Sequence, residues 1–204
     1  MSEALHLLKT RRILLSLLAI QAVILAIMFS GNASRIPEYL GFANGMQDIG
    51  LAWALAAVTT VAYVWTASSL SDVRYYLLRL DRLKLIAVLA AVMAGIIEEV
   101  VFRKLIMDAL HIRGFGSTVQ VAASALSFGI VHLAWGVKNL AAGINAALST
   151  TILGAALAVV YILAERSLAP CVVAHVLISA LIEPGLILAA VSGRIGLWRE
   201  RSAS

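Results

Sequence analysis

The chain is short of charge. Only 13% of its 204 residues are Asp, Glu, Lys or Arg, against about 25% in a soluble domain, so a water-facing surface cannot be assembled from it. It holds three prolines, and its glycines follow no period, which excludes collagen-like and linker-rich chains. A single cysteine, Cys171, excludes an internal disulfide and any cysteine-based zinc site. It lies in an apolar run and reads as a small packing residue. No basic cluster is interleaved with aromatics, so the net charge of +5 is not a nucleic-acid footprint. What the chain has is apolar side chains: 62% are hydrophobic and the mean hydropathy is +0.96. That excludes disorder, which needs low hydrophobicity and high net charge, and leaves an integral membrane protein.

A spanning helix needs about 20 mostly apolar residues, and six such runs occur: 13–30, 49–68, about 85–110, 117–137, 139–164 and 168–192. No stretch alternates as a barrel strand would. The expected fold is therefore all-α: one integral membrane domain, 1–204, formed as a polytopic bundle of about six transmembrane helices. Lys9, Arg11 and Arg12 precede the first run as they would a signal peptide. Its apolar core exceeds the usual 7–15 residues, and Gly31 to Ser34 form a poor cleavage site, so a retained helix is expected.

Basic residues orient the bundle. With the N-terminus inside, the inner segments hold Lys9, Arg11, Arg12, Arg74, Arg79, Arg82, Lys84, Lys138, Arg194, Arg199 and Arg201. The others are Arg35, Arg103, Lys104, Arg113 and Arg166. This split places both termini in the cytoplasm of a multi-pass cell-membrane protein. Asn32-Ala33-Ser34 is formally a glycosylation sequon, but such tripeptides arise often by chance. Gly143 with Ala147, and Gly154 with Ala158, are small-residue pairs four apart that read as ordinary helix packing.

The third run carries Glu98, Glu99 and Arg103. A charge near a helix centre costs about 2.5–3.5 kcal/mol, roughly 8 kcal/mol for the three before pairing. Such groups face the protein interior and mark function. Glu99 and Arg103 are four apart and can pair. Glu98 lies about 100° around the helix, with Phe102 at its i+4 position. A salt bridge thus accounts for Glu99 and Arg103 and leaves Glu98 as the candidate general base. Gly95, one turn earlier, would leave room beside it. In the fourth run Ser124, Phe128 and His132 share a face. In the sixth, Cys171, His175, Ser179 and Glu183 recur at the same spacing. Each histidine alone is weak evidence; two histidines and an unpaired acid on three helices can position a water or, as the secondary reading, bind a metal.

These residues carry a resemblance. Glu98-Glu99-x-x-x-Arg103 resembles the EExxxR motif of the CPBP family of intramembrane proteases, which includes the CAAX prenyl endopeptidases. Phe128-x-x-x-His132 resembles its FxxxH motif, and His175-x-x-x-Ser179 its HxxxN motif with Ser in place of Asn. Residues 164–170 resemble the family's approach to the third motif. The resemblance covers about residues 85–190, a CPBP-like catalytic core; residues 1–84 would supply two N-terminal transmembrane helices and a cytoplasmic loop.

It implies an intramembrane endopeptidase of glutamic type, acting on a membrane-associated peptide or protein, prenylated CAAX-type substrates among them. Glu98 would activate a water held by His132. His175 and position 179 would stabilise the oxyanion, and Arg103 would hold Glu99. No cofactor is implied; zinc is the lesser reading, since no HExxH helix is present. Ser179 is the main departure, because loss of one oxyanion donor costs about 2.7–4 kcal/mol; Asn145 on the fifth helix is a candidate substitute. Depth is a second difficulty. On straight helices His175 lies roughly 12 Å from the outer end and His132 roughly 24 Å. The alternatives are a non-catalytic scaffold or immunity-type member of the same family, and an ion or proton carrier.

Overall fold

The computed structural model describes residues 3–31, 33–43, 49–137 and 139–193. Among them there is no strand, and six helices are long and apolar enough to cross a membrane. The fold is all-α, and the protein is a multi-pass membrane protein. Asn32, Lys138, Arg194, Arg199 and Arg201, used above for the sequon and the charge balance, lie outside the described residues.

The first span is α1, Glu3–Met28. A short α2, Ile36–Tyr39, precedes the second span, α3, Gly50–Ala67. An interfacial helix, α4, Ser71–Tyr76, leads into α5, Arg82–Glu99. The helix continues without a break through a π-helical segment, Val100–Met107, into α6, Asp108–Ile112, so one 31-residue span runs from Arg82 to Ile112. The last three spans rest on α7, Ser117–His132, with a 3₁₀ turn to Val137, α8, Leu140–Leu163, and α9, Ala169–Val191.

Local chemistry sets the ends. Asp81 caps α5 by accepting from the Lys84 N–H at 2.9 Å, and Asn139 caps α8 by accepting from Ala142 N–H at 3.3 Å. Pro170 occupies the first turn of α9, where its missing N–H is harmless.

α9 is the hub: α1, α3, α4, α5 and α8 all pack against it. α7 pairs with α8, and their approach depends on glycine. A Cβ on Gly129 would lie 2.7 Å from Ala147 O, and one on Gly154 would lie 3.1 Å from Ala125 Cα. The small-residue positions of α8 are thus packing positions. The apolar core runs through Phe102, Phe128, Leu157, Tyr161, Cys171 and Ile178. Cys171 is wholly buried, with its thiol on Leu157 O at 3.3 Å. The opposite faces stay apolar and exposed, at Ile20 and Ile27 of α1 and at Leu51, Val61 and Trp65 of α3. Those are the faces that lipid covers.

Two polar ties fasten the bundle away from its centre. Lys84 is buried, and its ammonium donates to Tyr76 O at 3.0 Å, Leu77 O at 3.1 Å and Leu181 O at 3.0 Å, joining the end of α4 to α9. Arg166, in the turn before α9, pairs with Asp108 and donates to Gln120 Oε1 at 2.5 Å. The Tyr161 hydroxyl donates to the same Asp108 carboxylate at 3.1 Å.

Candidate active site

The site is built where α5 turns into its π-helical segment. Adjacent residues on a helix point about 100° apart, and Glu98 and Glu99 use that angle to enter different environments. Glu99 faces inward. Its side chain is 0% exposed, and its Oε2 lies 3.0 Å from Nε of the equally buried Arg103. Arg103 also donates from Nη2 to Gly154 O at 3.4 Å, and its guanidinium sits 5.1 Å from the Phe128 ring centroid. Gly154 serves because it lacks a side chain: a Cβ there would be 3.1 Å from Phe128 Cδ1. A π-helical turn holds one residue more than an α-turn and is frequent at functional sites; here it starts at the residue after Glu99.

Both acids converge on His175 of α9. Glu99 Oε1 accepts from Nδ1 at 2.7 Å, while Glu98 Oε2 lies 3.6 Å from Nε2. A carboxylate accepts only, so Glu99 holds the ring with a proton on Nδ1 and turns Nε2 toward Glu98. The Glu98 side chain is 29% exposed. One carboxylate is therefore sealed between Arg103 and His175, and its neighbour is partly open and weakly engaged.

Gly95 does not leave space beside Glu98. A Cβ there would come within 2.7 Å of Val176 Cγ2 and 3.4 Å of Val176 N. The missing side chain lets α9 approach α5 closely, at the level that brings His175 to Glu99.

His132 is the last residue of α7. Its Nδ1 donates to Phe128 O at 2.7 Å, leaving Nε2 as the ring's outward-facing nitrogen. Among the described contacts it reaches neither Glu98 nor His175 directly. The link is Phe128, whose ring meets His132 edge-on at 4.7 Å, His175 at 5.8 Å and Phe102 at 5.1 Å. Both histidines thus lie against the same aromatic ring, that of Phe128, one turn before His132 on α7.

Ser179 is buried one turn after His175, and Glu183 follows one turn further on in the same helix. Glu183 is the residue to which sequence reasoning assigned no role. The signal was its four-residue register with His175 and Ser179. Asn145 is exposed on α8 and takes no part. Among the described residues no group of three His, Cys, Asp or Glu side chains is arranged to hold a metal ion.

Residues 81–181 match the family model for Type II CAAX prenyl endopeptidase Rce1-like proteins. That stretch includes Glu98, Glu99, Arg103, His132, His175 and Ser179, and stops two residues short of Glu183. No curated protein and no solved structure matches the chain. Through residues 81–181 the chain is similar to the Rce1-like family of Type II CAAX prenyl endopeptidases.

Proposed function

We propose that the protein is an intramembrane endopeptidase of glutamic type whose substrates are membrane-associated chains of the CAAX type, and that residues 85–190 form its catalytic core. The observation that carries this reading is the unequal clasp on His175. Glu99 is locked to Arg103 and orients the ring, while Glu98 stays open on the other side of it.

In this mechanism Glu98 takes a proton from a water as the water oxygen bonds to the scissile carbonyl carbon. The carbonyl electron pair moves to oxygen. His175 donates to that oxyanion from Nε2 when its ring carries both protons, and position 179 is the second donor. The C–N bond then breaks, and Glu98 returns its proton to the leaving amine. His132 holds the water through Nε2, and the surrounding apolar helices strengthen each electrostatic contribution. No metal takes part in this scheme. The excess of Lys and Arg in the first turns of α1, between α3 and α5, and in the sequence after α9 supports cytoplasmic termini.

The test is cleavage of an internally quenched farnesylated CAAX peptide by the purified protein in proteoliposomes. Wild type should release the C-terminal fragment, and Glu98→Gln should not. Equal cleavage by both would remove Glu98 from the mechanism.

Ser179 is the observation that favours the second reading, a non-catalytic member acting as a scaffold. Full complementation of a deletion phenotype by Glu98→Ala and by His132→Ala would establish that reading instead.

A further inference from the structure

The connection between α4 and α5, residues 77–81, has no regular structure. Irregular backbone exposed to lipid is not tolerated in hydrocarbon, so this segment lies at the headgroup level, where water reaches its polar groups. Leu78 and Leu80 stand on either side of Arg79 and are 81% and 93% exposed. Tyr75, near the end of α4, is exposed as well. Apolar side chains turned outward beside an arginine suit a segment that dips into lipid while its charge stays among the headgroups.

Arg79 is held in place from within. Its Nε lies 3.1 Å from Asp81 Oδ2. Its guanidinium carbon sits 4.8 Å from the Tyr75 ring centroid and 5.7 Å from that of Tyr76. Those rings meet edge-on at 5.1 Å, and Tyr76 is buried, which anchors the group to the body of the bundle. Among the described residues no hydrogen bond or ion pair engages either Nη nitrogen, and the side chain is 44% exposed. A guanidinium fixed through Nε and one ring face has its two Nη groups left for a phosphate.

The surroundings are basic. Arg74 and Arg82 are exposed and pair with no described carboxylate. Both Asp81 oxygens are engaged, one by Arg79 and one by the Lys84 N–H. α1 packs along α5, with Leu14 and Ala87 in one buried cluster. As the first and third spans these helices run the same way, which brings Lys9, Arg11 and Arg12 to this end of the bundle. The acids of the same segments are Glu3, Asp72 and Asp81, against six exposed Lys and Arg side chains.

We propose that Arg79, flanked by Arg74 and Arg82, is the headgroup site of a bound anionic phospholipid. The Nη pair holds the phosphodiester, and Leu78 and Leu80 lie against the acyl chains. A zwitterionic headgroup fits less well, because its ammonium would face Arg74 and Arg82. A free phosphate would leave both leucines uncovered, so the occupant is a lipid. The site lies about 24 Å along α5 from Glu98, counted from Arg82, and does not depend on peptide cleavage.

The test is native mass spectrometry of the delipidated full-length protein in detergent, titrated with phosphatidylglycerol or with phosphatidylcholine of the same acyl chains. Phosphatidylglycerol should bind more tightly. Arg79→Gln should weaken it about 10–100-fold, the range for hydrogen bonds to charged groups. Arg79→Lys should show most of that loss, since an ammonium restores the charge but not the fork. Arg12→Gln removes a charge at the same end and should cost about fivefold at most, the contribution of one basic residue to the surface attraction. Leu78→Ser with Leu80→Ser should weaken the lipid about tenfold; both positions are exposed, so this variant carries the test if the Arg79 variants fail to fold. Excess inorganic phosphate at matched ionic strength should not displace the lipid. Equal binding of the two lipids, or equal losses in Arg12→Gln and Arg79→Gln, would reduce the site to general surface charge and overturn the proposal. Displacement by inorganic phosphate, or unchanged lipid binding in the leucine variant, would overturn it in favour of a phosphate site without lipid.

Discussion

Glu98 and Glu99 are chemically identical neighbours, and neutralising each should do opposite things. Glu99→Gln preserves shape but leaves the Arg103 guanidinium wholly buried with only Gly154 O at 3.4 Å and the Phe128 ring for company. Breaking a buried pair by removing one partner costs about 3–5 kcal/mol, because the remaining charge is uncompensated. Glu98 is 29% exposed and its contact with His175 is 3.6 Å long, so Glu98→Gln falls in the range of exposed pairs, about 0–1 kcal/mol. For soluble domains of this length each kcal/mol moves the midpoint by about 2–4 °C. On that scale Glu99→Gln should unfold roughly 6–20 °C below wild type and Glu98→Gln within about 4 °C of it.

The assay is thermal unfolding in detergent followed by tryptophan fluorescence, beside peptide cleavage on the same samples. Glu98→Gln should be stable and inactive. A double variant, Glu99→Leu with Arg103→Met, should recover at least half of the stability lost by Glu99→Gln, since apolar replacement of a buried ion pair is often neutral. It should stay inactive, because His175 Nδ1 has lost its anchor. If Glu98→Gln were as destabilised as Glu99→Gln, or if Glu99→Gln melted with wild type, the division between a sealed structural acid and an open reactive one would be wrong.

Other perturbations follow from the packing. Gly185→Ala would push a Cβ to 2.6 Å from the backbone of α4 at Asp72 O and should destabilise by about 1–3 kcal/mol; Gly50→Ala, which meets open space, should not, and a paired melting experiment distinguishes them. Lys84→Met removes a charged donor from three carbonyls and should cost about 1.5–3 kcal/mol, read as earlier proteolysis at the α4–α5 connection. Arg166→Ala unties Asp108 and Gln120 from the turn before α9, in which Glu165 and Arg166 both adopt positive φ, 51° and 66°. It should loosen that turn, seen as faster amide exchange at residues 164–168, with a smaller effect on melting than Glu99→Gln.

The six spans were legible because length and hydropathy alone specify a membrane helix, and every expected run has its helix. The opposed orientations of Glu98 and Glu99 were legible for a similar reason: 100° per residue and an i+4 arginine suffice. Three features were not. Gly95 invites a reading as open space, yet a glycine on a helix equally marks where another helix comes close, and only the position of Val176 decides. Straight helices put His132 and His175 at different depths, and nothing local indicates that both lie against Phe128. Glu183 shares the four-residue register of His175 and Ser179, but an acid one turn past a motif has no distinctive pattern in the sequence.

The way charge is distributed in the bundle explains why so few ionisable residues suffice. A buried group held on all sides is rigid, and a reactive group must keep something free. Arg103 and Glu99 form a buried ion pair closed off by Phe128 and Gly154, and through Gly154 O and His175 they tie α5 and its π-helical extension to α8 and α9. That rigidity reaches the open side of the site through a single imidazole, whose Nδ1 is held at 2.7 Å while its Nε2 faces Glu98 at 3.6 Å. A hydrogen-bonding group free to rotate would have to be reoriented at the moment of reaction, whereas one fixed beforehand need not be. In the proposed mechanism, an ion pair behind the histidine would leave Glu98 free to exchange a proton without disturbing the contacts that hold the helices together.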